Sequence, residues 1–270
     1  MKITFIGGGN MAQAIIGGLV AKGYAATDVA AVEPLAETRD RVTGLGARAF
    51  ASLGEAGPLG DLVVLAVKPQ HMRQAAAGLR PLLKNELVLS IAAGIRLRDL
   101  SRWLGGHALL ARCMPNTPAL IGAGVTGLYC VPAVPPGARR LAVEVLEAVG
   151  GVIDVAEEAL LDAVTAVSGS GPAYVFLFIE AMQRAAVELG LTPAQARALS
   201  IQTFTGAAQL AAAATEDVSV LRERVTSKGG TTERALAALR EDRVVEIIER
   251  AIRAADARAR ELGDELGRDA

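Results

Sequence analysis

The sequence predicts an α/β fold: a doubly wound parallel sheet over the first half of the chain, then an all-α second half. Three observations predict it. Short β-rich runs at 2–6, 29–32, 62–67, 87–91 and 108–113 alternate with helical segments, the pattern of a parallel sheet covered by helices. A glycine-rich turn joins the first run to a helix in which Ala12, Ile15, Ile16, Leu19 and Val20 recur at helical spacing, with Gly23 where a helix C-terminal glycine belongs. Beyond Glu157 the strand signals stop, so the domains are expected to be 1–157 and 158–270.

Each later element has its own signal. Residues 122–131 mix glycines with β-branched residues and read as an irregular strand or hairpin; 132–137 is a turn-rich break, 138–149 a helix and 152–155 a last short strand. In the second half a helix starts near Pro172, with Val175, Phe178, Ile179, Met182, Ala186 and Leu189 on one apolar face. Thr192-Pro193-Ala194-Gln195 is a capping-box start for the next helix, which runs to about residue 214 and is apolar on most sides. Such a helix is expected to be buried, and in so small a domain the expected cover is a second copy of the chain.

The 270 residues are 51% hydrophobic and 21% charged, with a formal net charge of -1, enough apolar surface for one large core or two modest ones. Interleaved charges of both signs leave no positive stripe, which argues against nucleic acid or an anionic membrane as partner. No export signal opens the sequence, and apolar runs such as 62–67 and 211–214 are far shorter than the roughly 20 residues a membrane span needs. A soluble, cytoplasmic chain is expected. Cys113 and Cys130 lack metal-ligand spacing and have only His71 and His107 as imidazole company, so both are expected to be reduced, buried thiols with no metal.

The chemistry sits in the turns. Gly7-Gly8-Gly9-Asn10-Met11-Ala12 fits G-x-G-x-x-A between an apolar strand and an amphipathic helix. The first glycine permits the turn, the second admits a pyrophosphate to the backbone, and Ala12 lets helix and strand pack closely. Glu33 ends the second strand about twenty residues on, where an acid accepts hydrogen bonds from ribose hydroxyls. It points towards NADH, with Arg39 or Arg41 as cations able to offset its repulsion of NADPH; the other reading is a solvated acid. Leu65-Ala66-Val67-Lys68-Pro69-Gln70 and Ser90-Ile91-Ala92-Ala93-Gly94 leave small residues at two more strand ends, with Lys68 read either as a ligand contact or a surface charge.

Met114-Pro115-Asn116-Thr117-Pro118 is a rigid polar turn, equally readable as structural or as a substrate contact. Ser168-Gly169-Ser170-Gly171-Pro172-Ala173-Tyr174 and Val225-Thr226-Ser227-Lys228-Gly229-Gly230-Thr231-Thr232-Glu233 both read as glycine- and hydroxyl-rich helix starts suited to an anion or polar ligand.

Taken in order and at matching separations, GGGNM, AVKP, MPNTP, SGSGPAY and the S-x-GGTT loop resemble the pyrroline-5-carboxylate reductase family along nearly the whole chain. The resemblance implies a Rossmann domain for NADPH or NADH and an all-α dimerisation domain. It also implies a homodimer or larger homo-oligomer built from dimers, with the active site between the domains where subunits meet. The implied reaction moves a hydride to the cyclic imine 1-pyrroline-5-carboxylate, giving L-proline in the last step of proline biosynthesis. By the same resemblance Ile6, Gly7, Gly8, Gly9, Asn10, Met11, Ala12, Glu33, Ala66, Val67, Lys68, Pro69, Ala92 and Ala93 line the cofactor. Ser227, Gly229, Gly230, Thr231 and Thr232 take the substrate, Glu158 is the acid near the ring, and the Thr232 hydroxyl meets the ring nitrogen as the catalytic contact. The chain departs from many members at Lys228, where they have proline, at Ser52-Leu53, where they have asparagine, and at Glu33, where they have serine or asparagine.

An iminium acceptor needs a hydride donor held about 3 to 3.5 Å away and little else. That suits a helical half in which no general acid stands out, both histidines lying in the first half. A β-hydroxyacid dehydrogenase would want a lysine within a helix there, yet the only lysine after Lys84 is Lys228, on the glycine loop. A nicotinamide-sensing binding module would leave that loop without a purpose.

Overall fold

The computed structural model describes residues 1–268. They pack as two compact units: residues 1–170 together with the C-terminal stretch from Ala255, and Gly171–Ala254. Neither break falls at the expected position 157.

The first unit is built on an eight-stranded sheet. Its strands are β1 (Ile3–Ile6), β2 (Val29–Val32), β3 (Arg48–Phe50), β4 (Leu62–Leu65), β5 (Leu87–Ser90), β6 (Leu110–Met114), β7 (Gly124–Cys130) and β8 (Gly150–Asp154). They lie in the order β3-β2-β1-β4-β5-β6-β7-β8. The pairings are parallel except for β6 with β7, where the chain doubles back. Strands β1, β2, β4 and β5 are buried along their whole length, which is why they read as unbroken apolar runs. The short strand β3 has no such signal, because it is a half-exposed edge. Residues expected to form an irregular strand or hairpin make one strand, β7.

Helices cover both faces. They are α1 (Asn10–Ala21), α2 (Ala36–Gly44), α3 (Leu53–Ala56), α4 (Met72–Leu79), α5 (Leu97–Trp103), α6 (Pro136–Glu147) and α7 (Leu160–Val164). Alternate strand residues feed two cores: Ile3, Phe5, Leu62 and Val64 pack with α1 and α6, whereas Ile6, Val63 and Leu65 pack with α4 and α5. Helix α1 crosses close to the chain after α6, and a methyl at Gly18 would run into the Ala148 carbonyl. Gly23 ends α1 in a left-handed turn, as expected.

Arg112 is 3% exposed on β6 and spends its charge on α7 and the residues just before it: Nη1 lies 3.1 Å from Glu158 Oε1 and Nη2 3.7 Å from Asp162 Oδ1. Cys113 is buried beside it, and burial pushes its thiol well above the usual range. Cys130, expected to be buried, is only half so.

After α7 the segment Thr165–Gly169 takes a π-helical turn, with Ser170 N–H donating to the Thr165 carbonyl. The Thr165 and Ser168 hydroxyls donate to the carbonyls of Leu161 and Val164. The expected free helix start at Ser168 is therefore replaced by a chain that is already helical.

The second unit holds α8 (Gly171–Glu188), α9 (Pro193–Ala213), α10 (Val218–Arg224), α11 (Thr231–Glu241) and most of α12 (Val244–Leu266). The capping box forms at Thr192 as expected, the hydroxyl accepting from Gln195 N–H and the Gln195 side chain accepting from Thr192 N–H. Helices α8 and α9 pack together, Phe178 against Phe204. Large apolar residues nonetheless stay open, Phe176 at 65%, Leu177 at 61% and Leu210 at 70% exposure. The helical run Leu160–Glu188 is by length and composition apolar enough to cross a membrane, an 18-residue window of it having a mean hydropathy of 1.3, a feature that counting continuous apolar residues missed.

Two outcomes are expected of this packing. Gly18→Ala should lose about 1–3 kcal/mol in denaturant unfolding despite alanine's better helix propensity, because the helix must move off Ala148. Arg112→Leu leaves two carboxylates in a poorly solvated site without their cation and should lose roughly 3 kcal/mol by the same measurement.

Candidate active site

The turn after β1 is shaped by close approach. Gly7 has φ +100°, and a Cβ there would stand 2.7 Å from the Ala66 carbonyl at the end of β4. Only glycine meets both conditions. The Gly7 N–H donates to the Val32 carbonyl at 2.8 Å, and the Gln13 amide donates to the Gly8 carbonyl at 2.7 Å. Gly9 is different: it is exposed, and no other described atom lies within 4 Å of the position its Cβ would take. It is also the N-cap of α1, with no side-chain cap and no acid in the first turn among the described residues. Uncapped amides at a helix start of this kind are suited to a phosphate. Ala12, fully buried behind them, supplies the close helix-to-strand contact.

Glu33 is held against this turn. Its Oε2 accepts from Gly8 N–H at 2.9 Å and its Oε1 from Leu35 N–H at 3.0 Å. The carboxylate is thus fixed beside the open space rather than trailing in solvent. Arg39 donates through Nη1 to the carbonyls of Glu33 and Pro34, and Arg41 pairs with Glu37 one turn away. Both cations expected to reach round Glu33 are spent on local partners.

The same rim carries the other expected positions. Ala66 and Val67 are half-buried and Lys68 is exposed, ahead of Pro69 in a 3₁₀ turn. Ser90 accepts from Ala92 N–H through its hydroxyl, shaping the turn after β5 on which Ala92 and Ala93 sit. Asn116 proves structural: its Oδ1 accepts from Val125 N–H at 2.9 Å and its Nδ2 donates to the Ser168 carbonyl at 3.2 Å. Glu158 lines an arginine-rich cleft with Arg96, Arg98, Arg112 and Arg260. Its Oε1 already accepts from Leu97 N–H at 2.8 Å and from Arg112. Sequence reasoning missed Arg96 and Arg112, because an arginine in a strand or loop carries no signal of its partners.

In the second unit the loop before α11 is tightly turned. Gly229 has φ +72°, Gly230 N–H donates to the Ser227 carbonyl at 3.0 Å, and a Cβ on Gly230 would stand 2.5 Å from Ser227 Oγ. Gly230 is the N-cap of α11 and, among the described residues, has no side-chain cap. Glu233 accepts from Gly229 N–H at 2.7 Å, so one amide of the loop has an acid of its own chain on it. Thr232 is half-buried on the first turn of α11, while Ser227, Lys228 and Thr231 are exposed. Each unit thus has one glycine-capped helix start without a side-chain cap among the described residues, at Gly9 and at Gly230.

Residues 158–262 match the profile described as pyrroline-5-carboxylate reductase dimerisation, and residues 2–94 match that of the coenzyme F420-dependent NADP oxidoreductases. The chain is 45% identical over 268 residues to the pyrroline-5-carboxylate reductase of Pseudomonas aeruginosa, with 98% of each chain covered. The structure of a pyrroline-5-carboxylate reductase from Coxiella burnetii superposes with a TM-score of 0.92 at 40% identity, covering 97% of this chain and 98% of that one. That of the Plasmodium falciparum pyrroline carboxylate reductase, which has NADP bound, gives 0.86 at 26% identity over the same shares. With its fingerprint turn, its glycine-threonine loop and these likenesses over almost its full length, the chain belongs to the pyrroline-5-carboxylate reductase family.

Proposed function

We propose that the protein reduces 1-pyrroline-5-carboxylate to L-proline with NADPH or NADH, in the cytoplasm, as a homodimer or a larger homo-oligomer built from dimers. The observation that carries the reading is the open, uncapped start of α1 at Gly9, with Glu33 clamped beside it. A dinucleotide bound there supplies the hydride. The amides at the start of α1, at Gly9, Asn10 and Met11, hold its pyrophosphate, with Gly7, Gly8 and Ala12 shaping the turn behind them, Ile6 beneath and Glu33 at the ribose. Ala66, Val67, Lys68 and Pro69, with Ala92 and Ala93, leave room for the rest of the cofactor by being small or by lying at the rim.

For the substrate, the loop Ser227, Gly229, Gly230 and Thr231 takes the carboxylate, with α11's uncapped start adding its partial positive charge. Thr232 is the catalytic contact, its hydroxyl orienting the ring nitrogen. Glu158 contributes through its carboxylate, which Arg112 holds in place. Residues 1–157 serve the cofactor, and 158–270 serve the substrate and the subunit contact. The open apolar residues of α8 and α9 support that contact, and Glu180 and Arg184 within α8 make a lipid setting costly.

The test is direct: NADH and NADPH oxidation is followed with pyrroline-5-carboxylate, then 3-hydroxyacids are tried in the reverse direction. Turnover of a 3-hydroxyacid with none of the imine would refute the proposal. Thr232→Ala should lower kcat roughly tenfold, about one hydrogen bond's worth in the transition state, with cofactor affinity unchanged. Glu33→Ser should move the ratio of kcat/KM for NADPH over NADH upwards roughly tenfold, since the fixed carboxylate no longer opposes a phosphate.

A further inference from the structure

The last turns of α12 belong to the first unit, and they land on the turn that follows β5. Gly94, in a left-handed conformation at φ +74°, is pressed by Leu266: a Cβ on it would stand 2.8 Å from Leu266 Cδ1 and 3.5 Å from Leu262 Cβ. Arg96 reaches over the same helix. Its Nη1 pairs with Asp264 at 2.6 Å and its Nη2 donates to the Arg260 carbonyl at 3.2 Å. Gly263 is buried beneath that guanidinium, and a Cβ there would stand 2.9 Å from Arg96 Nε. Further on, Arg102 donates to the Gly267 carbonyl at 2.8 Å, and Gly267 is packed against the buried Asp99 carboxylate. On the opposite side of Arg96, Leu97 N–H is held by Glu158.

Beyond the core packing of Ala92, Ile95 and Leu97, the segment 92–97 has three further contacts: an apolar one at Gly94, an ionic one at Arg96 and a backbone one at Leu97. Two of the three come from the end of the chain. Fixing each residue of a turn carries an entropic cost. Here that cost has been met before any ligand arrives.

We propose that the C-terminal turns of α12 are a positioning element for the cofactor: Asp264 and Leu266, acting through Arg96 and Gly94, hold the Ala92–Ala93 turn in its binding conformation. This rests on the reading of Ala92 and Ala93 as cofactor contacts. Asp264 and Leu266 touch neither substrate nor cofactor in this scheme, and they act only on the dissociation constant.

The experiment measures binding of NADH and of NADPH to the full chain by quenching of nicotinamide fluorescence, with thermal unfolding and steady-state kinetics alongside. The variants are Asp264→Asn, Asp264→Glu and Leu266→Ala. Asp264→Asn and Leu266→Ala should each raise the cofactor Kd roughly fivefold, about the cost of re-fixing one loop residue on binding, while KM for the imine stays within twofold. Asp264→Glu should bind like the parent. An unchanged Kd in a folded Asp264→Asn and a folded Leu266→Ala overturns the inference, as does an Asp264→Glu variant as weak as Asp264→Asn. A lowered unfolding temperature with Kd unmoved also overturns it, since that is the mark of a merely structural role. If the parent chain itself binds neither nucleotide, the cofactor reading fails first, which separates the two failures.

Discussion

The backbone of Gly7 rests on the carbonyl of Ala66, and the geometry of the nucleotide rim follows from that contact. Strand β1 lies between β2 and β4, so chain connections leave it in opposite directions and a crevice opens above its carboxyl end. A side chain at position 7 would force the β1 and β4 turns apart. With glycine, the turn folds back sharply enough for the Val32 carbonyl to take its N–H and for Glu33 to take the next one. What remains uncommitted is the start of α1. The start of α1 is thus what is left once the Gly7 and Gly8 donors have found partners within the chain.

A second constraint lies deeper in the sheet. Arg112 is a buried cation whose desolvation is offset by two carboxylates, and one of these, Glu158, also fixes the backbone at Leu97. Strand β6, the turn after β5 and the approach to α7 are thereby tied at one oxygen atom. The arrangement ties the turn after β5 to β6, and the end of α12 contacts the same turn through Arg96 and Gly94. Rigid support of this kind suits chemistry that asks mainly for a hydride donor at the right distance.

The helical unit obeys a different rule. Its helices carry more apolar surface than two packed layers can hide within 84 residues. Leaving Phe176, Leu177 and Leu210 in water is costly for an isolated chain, and it becomes reasonable once a second copy covers them. The same composition brings a window of the Leu160–Glu188 run to the hydropathy of a membrane helix, so hydropathy alone does not separate the two settings.

By itself the sequence determined the strands buried on both faces, the fingerprint turn, the capping box at Thr192 and the family. Each rests on local signals: apolar runs, glycines at obligatory φ, and side chains that bond within four residues. It could not place β3, an edge strand too short and too exposed to show a pattern, nor the π-turn at Thr165, where the Ser168 hydroxyl, expected to greet a ligand, bonds back to its own helix. The tertiary structure alone decided that Arg39 and Arg41 are spent locally, that Asn116 is a strut, and that Arg96 meets Asp264 from 168 positions away. Long charged and amide side chains have no preferred partner along the chain, and only the folded backbone brings one within reach.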